Sequence, residues 1–245
     1  MEKYKLNRSI TISGRSGTGK TSAANALTRL FDIPNLKVGQ NFRNEGGIDK
    51  KGIVSPNPSL HNSIDLKQQE LIRNASSEFP FILEGRLAGI WVSEERARLK
   101  SIGKDPAKLP VTDILFTAPR DVRWHRLRNR YNEGNPDNQK TLKEIERYEV
   151  SRERQNLEIW WELYPELRGL DPFNPGLIYP EGFKVYDLVV PAGKLKVNEV
   201  VVFALDYLLT NGFALKIPET QSDHDFKIDD TNQHLSSENT IISFV

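Results

Sequence analysis

The sequence predicts an α/β fold in which a five-stranded parallel sheet is covered by helices on both faces. Three observations lead to this prediction. Short apolar runs are bounded by turn residues, stretches with helical spacing lie between them, and a glycine-rich turn follows the first run directly. Strands that alternate with helices in this way are typical of a parallel sheet with helices packed on it.

The predicted strands are residues 10–13, 36–39, 80–83, 113–117 and 185–190, and the weak segment 36–39 is placed at an edge. The predicted helices cover residues 22–31, 120–131, 141–163 and 196–209. In the last of these, the apolar positions form one face: Val197, Val200, Val201, Ala204, Leu205 and Leu208. No internal repeat is visible.

Composition narrows the possible function classes. The chain has 245 residues, of which 38% are hydrophobic, so it can bury a core and disorder is not expected. Its net charge of +1 argues against general nucleic-acid binding, although a local basic pocket stays possible. The absence of cysteine excludes disulfides and thiolate metal sites. The start of the chain lacks the apolar core of a signal peptide, and the apolar run 201–209 is too short to span a bilayer. We therefore expect a cytoplasmic protein, monomeric or weakly dimeric, with no nucleic-acid or membrane partner.

The segment GRSGTGKT at 14–21 matches the phosphate-binding pattern G-x-x-x-x-G-K-[ST]. Its glycines allow a tight turn that points backbone amides at an anion, and the helix that follows adds its positive dipole end. Lys20 is expected to reach the outer phosphates and Thr21 to ligate Mg²⁺. A turn that merely joined strand to helix would need neither the lysine nor the hydroxyl. The residues predicted to bind the nucleotide phosphates are Gly14, Ser16, Gly17, Thr18, Gly19, Lys20, Thr21 and Ser22.

Three further stretches resemble the cytidylate kinase family of P-loop nucleoside monophosphate kinases. They are VGQNFRNEGG at 38–47, FILEGRLAGIWV at 81–92 and APRDVRWHRLRNRY at 118–131. The resemblance implies a P-loop kinase fold with a substrate-binding helical insert and a lid, and it implies ATP and Mg²⁺ as cofactors.

The same resemblance implies roles for individual residues. Arg43 and Arg86 would hold the phosphate of the acceptor, and Glu84 would hold Mg²⁺ through water. Arg126 would lie near the adenine and Arg130 near the phosphates. The sequence also allows a non-functional reading of each stretch. Arg43 could be a solvated surface arginine, Glu84 and Arg86 could lie in a solvated turn, and the arginine helix could pair with the acidic stretch KEIERYE at 143–149.

The segment 151–171 aligns with the lid of that family, where Arg152 and Glu153 match a first Arg-Glu pair. The second arginine-containing pair falls on Ile159 and Trp160, so that arginine is missing, and Arg154 is the candidate substitute. An extra proline-rich stretch occupies 165–184. The resemblance therefore implies Lys20, Arg130 and Arg152 as the catalytic cations. Asp65 either touches the acceptor or is a helix-surface acid.

We predict a kinase domain at 1–215, with acceptor-binding helices at about 40–75 and a lid at about 131–163, and then a polar tail or arm at 216–245 whose partner is unknown. The function that these residues favour is ATP-dependent phosphoryl transfer to a nucleoside monophosphate, and CMP is the acceptor that they favour most. Two alternatives stay open. One is a P-loop kinase for another small phosphorylated acceptor, and the other is a regulator that binds ATP without transfer.

Overall fold

The computed structural model describes residues 3–46, 55, 57–133 and 139–217, and within these ranges strands alternate with helices. The strands are β1 (Lys3–Leu6), β2 (Ser9–Ser13), β3 (Asn35–Lys37), β4 (Ile82–Glu84), β5 (Val111–Phe116), β6 (Leu188–Val190) and β7 (Ala214–Ile217). The helices are α1 (Lys20–Phe31), α2 (Val38–Asn44), α3 (Pro58–Arg73), α4 (Ala88–Ser101), α5 (Arg120–Asn132), α6 (Leu142–Leu163) and α7 (Val197–Thr210). Two short 3-10 helices lie at Pro106–Lys108 and Pro165–Leu167.

The described chain contains a five-stranded sheet in the order β3-β4-β2-β5-β6, and all of its pairings are parallel. Ile12 of the central strand β2 is in register with Glu84 on one side and Ile114 on the other. The carboxyl ends of the strands therefore lie at one edge of the sheet, where ligands bind in open α/β folds. The predicted five-stranded parallel sheet is confirmed.

Apolar side chains cover both faces of this sheet. On one face, a buried cluster includes Trp91 of α4, Phe173 of the segment 165–184 and Tyr186, just before β6. On the other face, α1 and α7 contribute Leu27 and Ala204 to a second cluster. Of the predicted helices, α1 and α7 thus bury apolar side chains against the strands, although Val197, on the predicted apolar face of α7, is exposed.

Several predicted boundaries differ from the observed ones. The chain enters α2 at Val38, so β3 ends earlier than the predicted strand 36–39. At the last parallel strand, only Leu188–Val190 forms ladder pairs. Val185 and Tyr186 are fully buried but precede the paired residues, which is why their apolar character suggested a longer strand.

The start and end of the described chain form an antiparallel pair that the sequence analysis did not predict. Lys3 pairs with Ile217, and Leu6 pairs with Ala214. The predicted boundary between domain and tail at 215/216 therefore falls inside β7. The rest of the predicted tail, residues 218–245, lies outside the described residues. Of the helices that are described, none has the length and apolar character needed to cross a membrane.

Candidate active site

The loop between β2 and α1 is shaped by glycines that no other residue replaces without strain. Gly14 has φ +144°, and a Cβ atom there would lie 2.5 Å from the carbonyl oxygen of Phe116. Gly17 has φ +79°, and a Cβ atom would lie 2.7 Å from the carbonyl oxygen of Arg123. Gly19, also at positive φ, caps the start of α1. The loop is therefore wedged between β5 and α5, with its backbone turned toward the start of α1.

Thr18 and Ser22, two other predicted phosphate-binding residues, differ in their exposure. Thr18 is buried, and its hydroxyl donates to the carbonyl oxygen of Arg15 at 2.9 Å, which braces the turn. Ser22 is exposed in the first turn of α1. The predicted phosphate loop is thus present as a local structure, directly after the central strand and directly before a helix.

Lys20 lies in the centre of this loop. Its Nζ donates to the carbonyl oxygens of Gly14 and Arg15 at 2.8 and 3.0 Å. Burial, together with the neighbouring cations Arg86, Arg130 and Arg152, lowers the pKa of Lys20 to about 8, while Glu84 opposes the shift. Several positive groups therefore surround one half-buried lysine. Such a site is complementary to a polyanion such as a triphosphate.

Thr21 and Glu84 occupy the adjacent strand end. The Thr21 hydroxyl donates to Glu84 Oε1 at 2.7 Å, which brings a hydroxyl and a carboxylate together beside the loop. Hard oxygen ligands of this kind suit Mg²⁺, which commonly takes only one or two protein ligands besides phosphate and water. In the described ranges, no cluster of three or more His, Asp or Glu side chains forms an all-protein metal site. The donor set fits a nucleotide-bound Mg²⁺.

Two guanidinium groups converge on Ser16, at the tip of the loop. Arg86 Nη2 donates to Ser16 Oγ at 2.9 Å, and Arg152 Nη2 donates to the same oxygen. Burial lowers the pKa of Arg86 to about 10, and the charge of Arg152 contributes. Arg152 is also held by the buried carboxylate of Glu149 at 2.7 Å. Residues from the β4–α4 turn and from α6 thus meet at one point of the phosphate loop.

The arginines of α5 have different partners. Arg126 donates to the carbonyl oxygens of Gly17 and Thr18, at 3.5 and 3.3 Å, and to that of Ala192 at 2.9 Å. Arg126 therefore bridges the phosphate loop and the turn after β6. Arg130 is exposed, and it is close enough to lower the pKa of Lys20.

The alternative in which the arginine helix pairs with an acidic helix holds for two other residues of α5. Arg123 is buried and pairs with Glu153 at 2.9 Å. Arg120 pairs with Glu146 at 2.9 Å in an exposed position. The helix face that carries Arg123, Arg126 and Arg130 therefore contacts both the phosphate loop, through Arg126, and α6, through Arg123.

Asp65, predicted as either an acceptor contact or a helix-surface acid, is not at the surface, because only 6% of it is exposed. It accepts hydrogen bonds from Gln68 Nε2 at 2.9 Å and from the Tyr164 hydroxyl at 3.2 Å. Burial raises the pKa of Asp65 to about 7, and these hydrogen bonds limit the rise. Arg43 lies on α2, but its side chain is outside the described part of the molecule.

The predicted lid corresponds mainly to α6, which begins with a capping box between Thr141 and Glu144. Arg154 does not replace the missing arginine, because its side chain is 78% exposed and pairs with Glu158 at 2.8 Å. Trp160 is buried in the core at the position where the family has the second pair. Residues 134–138, which belong to the predicted lid, lie outside the described residues.

One residue of the site escaped the sequence analysis. Arg15, the second residue of the phosphate loop, contacts both α6 and the proline-rich segment. The available signal was a charged side chain at a variable position of the motif, and nothing in the sequence named its partners.

Comparison with known proteins agrees with this geometry. A family profile described as an AAA domain matches residues 13–143, which run from the end of β2 into the first turn of α6. A cytidylate kinase of Methanopyrus kandleri is 29% identical over 215 residues, covering 84% of this chain and 97% of the relative. A cytidylate kinase of Methanothermobacter thermautotrophicus is 28% identical over 187 residues, covering 74% of this chain and 92% of the relative.

A solved structure supports the fold. An uncharacterized protein from Eubacterium ventriosum superposes with a TM-score of 0.52 at 15% identity, covering 82% of this chain and 98% of that one. This likeness confirms the predicted fold. The family profile and the sequence relatives confirm the P-loop kinase assignment, the resemblance to cytidylate kinase-like proteins and the kinase-like phosphotransferase class. Since the matched profile spans more than half of the sequence, the chain belongs to the AAA domain family.

Proposed function

We propose that this protein is an ATP-dependent nucleoside monophosphate kinase and that CMP is its preferred acceptor. The observation that carries the proposal is the convergence of Arg86 and Arg152 on Ser16, beside the half-buried Lys20. Phosphoryl transfer depends on alignment and charge neutralisation, and this arrangement provides cations on both sides of the loop tip. The cytidylate kinase relatives support the choice of acceptor.

The donor nucleotide is assigned to the loop and the start of α1. The glycine-shaped backbone and Ser16, Thr18 and Ser22 surround the phosphates, and Lys20 turns from its two carbonyl partners toward them. Arg126 borders the base, because it joins the loop to the turn at Ala192. Bound ATP with Mg²⁺ supplies the transferable phosphoryl group, and Thr21 with Glu84 is the oxygen pair that would hold the metal.

The acceptor is assigned to the side of Ser16 that faces Arg86. A guanidinium group binds two phosphate oxygens at once, which suits Arg86 and Arg43 to gripping a monophosphate. Asp65 lies on α3 next to Gln68, whose Oε1 would be 2.5 Å from a Cβ atom placed on Gly85. Asp65 is therefore close to the turn that carries Arg86 and is a candidate for reading the acceptor.

Charge that develops during transfer is neutralised by Lys20, Arg130 and Arg152. Arg152 is pre-oriented, because the buried Glu149 holds its guanidinium at 2.7 Å. A donor that is already oriented needs no reorganisation in the transition state, which is the main source of electrostatic catalysis.

A second candidate is a kinase for another small phosphorylated acceptor. It is favoured by Trp160, which is buried in the core and packs near Phe173 of the proline-rich segment with ring centroids 6.5 Å apart. Where the resemblance implies a lid arginine, this chain has a packing residue, so the lid differs from that of the family.

An acceptor panel tests the proposal. We expect CMP to stimulate ATP-dependent ADP release more than UMP, AMP, GMP or a sugar phosphate at equal concentration, as measured in a coupled assay. Arg86→Gln should raise the KM for CMP with little change in the KM for ATP, and the exposed Arg154→Gln is the matched control. Preference for a sugar phosphate would support the second candidate. Tight ATP binding without stimulation by any acceptor would contradict both and would indicate a regulator.

A further inference from the structure

Arg15 joins the phosphate loop to two other regions of the chain. Its Nη1 donates to Glu153 Oε2 on α6 at 2.6 Å. Its Nη2 donates to both carboxylate oxygens of Asp171, at 3.1 and 2.9 Å. Its guanidinium carbon lies over the ring of Phe173, 4.8 Å from the centroid. Asp171 and Phe173 belong to the proline-rich segment 165–184.

These contacts fit an anchor better than a phosphate ligand. Two carboxylates already neutralise the guanidinium of Arg15, and the Phe173 ring covers one of its faces. A phosphate that bound to Nη1 and Nη2 would compete with both acids. Arg86, in contrast, donates to the neutral hydroxyl of Ser16, and Arg152 donates to the same oxygen while pairing with one carboxylate, that of Glu149.

Glu153 is shared between two arginines. Its second oxygen accepts from Nη1 of Arg123 on α5 at 2.9 Å. Burial opposes ionisation of Glu153, but Arg123 and Arg15 outweigh it and hold the pKa of Glu153 below its ordinary value. The single carboxylate of Glu153 therefore binds α6 both to the phosphate loop, through Arg15, and to α5, through Arg123.

The residue before Glu153 in the chain is Arg152. Because α6 is continuous through this region, the position of Glu153 sets the position of Arg152 along the helix. With Glu153 held by Arg15 and Arg123, the Arg152 side chain reaches Ser16. Arg154, one residue further, points into solvent and takes no part.

We propose that Arg15 is a positioning residue for phosphoryl transfer: by binding Glu153 and Asp171, it fixes α6 and the proline-rich segment on the phosphate loop and holds Arg152 at Ser16. The proposal rests on the proposed kinase function. It also gives the segment 165–184 a role, since that segment supplies Asp171 and Phe173. A fixed Arg152 then carries the charge neutralisation that the family divides between two lid arginines.

A double-mutant cycle tests this inference. We expect Arg15→Gln to lower kcat by about 10- to 100-fold, while the KM values for ATP and acceptor change by less than about twofold, because only the alignment of Arg152 is lost. In an Arg152→Gln background, Arg15→Gln should cost almost nothing more, since the group that it positions is already gone. Independent, multiplicative effects would overturn the proposal. A large rise in the KM for ATP with kcat unchanged would also overturn it, because Arg15 would then bind the triphosphate directly.

Two additional measurements separate this result from folding defects and from failure of the kinase assignment. Asp171→Asn, at a half-exposed position, should reduce kcat in the same direction by about three- to tenfold and should fold normally. Without any nucleotide, hydrogen exchange of the amides in α6 should be faster in Arg15→Gln than in wild type, whereas Arg154→Gln should leave it unchanged. If wild type transfers phosphate to no nucleoside monophosphate, the kinase assignment fails, and the exchange comparison still decides whether Arg15 anchors α6. Unchanged hydrogen exchange of α6 in Arg15→Gln would refute the proposal that Arg15 fixes α6 on the phosphate loop.

Discussion

The Thr21 hydroxyl donates to Glu84 Oε1 at 2.7 Å, although the two residues are 63 positions apart in the chain. Their contact follows from the sheet, because β2 and β4 are neighbouring parallel strands with Ile12 in register with Glu84. The first helix begins just after β2, so its Thr21 reaches the acid at the end of β4. The fold thus builds an oxygen-rich position beside the phosphate loop.

Replacing Glu84 with Gln should weaken the use of Mg²⁺. We expect the Mg²⁺ concentration for half-maximal activity to rise by at least about tenfold, which is the usual cost of losing a carboxylate that orients a metal. The measurement is initial velocity against free Mg²⁺ at saturating ATP and acceptor. Glu158→Gln, at an exposed position of α6, is the control and should leave the curve unchanged. An unaltered Mg²⁺ dependence in Glu84→Gln would remove this acid from the metal site.

Lys20 should take up a proton when nucleotide binds. Its pKa in the unliganded protein is about 8, lowered by burial and by nearby arginines, and a bound triphosphate would raise it. At pH 8 we expect an uptake of about half a proton by Lys20, falling toward zero at pH 6.5, where the amine is already charged. Titration calorimetry in buffers of different ionisation enthalpy measures this uptake. Subtracting the value for Lys20→Met removes the protons that ATP itself exchanges.

The exposed Lys143→Met serves as the control for that subtraction and should behave like wild type. Equal proton uptake in wild type and in Lys20→Met would show that the ammonium is not coupled to the nucleotide.

Two kinds of site residue could be predicted from sequence: those within one contiguous motif, and those at the end of a predicted strand. The phosphate loop is a contiguous motif, and Glu84 ends an apolar strand, so both could be placed before the structure was known. The partners of Arg15 could not, because Glu153 and Asp171 lie 138 and 156 positions away and depend on how α6 and the proline-rich segment pack.

Two other features show the same limit. Arg123 and Arg126 share a helix face, and only packing reveals that one pairs with α6 while the other contacts the loop. The β1–β7 pair joins two short, lysine-containing segments whose alternation is too weak to signal a strand.

Gly89, at the start of α4, should not tolerate a methyl group. A Cβ atom there would lie 2.1 Å from Asp113 Oδ2 and 2.6 Å from the ring of Tyr186, and both neighbours are fully buried. We expect Gly89→Ala to lower the free energy of unfolding by about 1–3 kcal/mol, as overpacking of a core does. Urea denaturation measures the change.

Gly176→Ala is the matched control, because its Cβ would come no nearer than 3.6 Å to Asn174 Oδ1. Its free energy of unfolding should stay within about 0.5 kcal/mol of wild type. Equal stability of both variants would mean that α4 shifts freely away from β5.

Asp65 should make the stability of the protein depend on pH below neutrality. Its pKa is raised from 3.8 to about 7 in the folded state, because burial disfavours the carboxylate more than Gln68 and Tyr164 stabilise it. The unfolded chain therefore releases this proton near pH 4, while the folded chain keeps it until about pH 7. The contribution of the protonated group to stability is complete below pH 4, falls as pH rises from 4 to 7, and is lost above 7.

Asp65→Asn removes this titration. Wild type should lose about 2.5 kcal/mol of unfolding free energy between pH 5 and pH 7.5 that the variant keeps, since the slope is about 1.4 kcal/mol per pH unit from pH 5 to about 7, where only the unfolded chain is ionised. Changes in the hydrogen bonds to Gln68 and Tyr164 shift the curve of the variant by a constant amount, so the difference between the two pH values isolates the carboxyl. Urea denaturation at both pH values gives this difference, and Asp206→Asn, at an exposed position of α7, should show none. A pH profile of Asp65→Asn parallel to that of wild type would mean that Asp65 is ionised at pH 5 in the folded protein, and its burial between α3 and Tyr164 would then need a compensating cation.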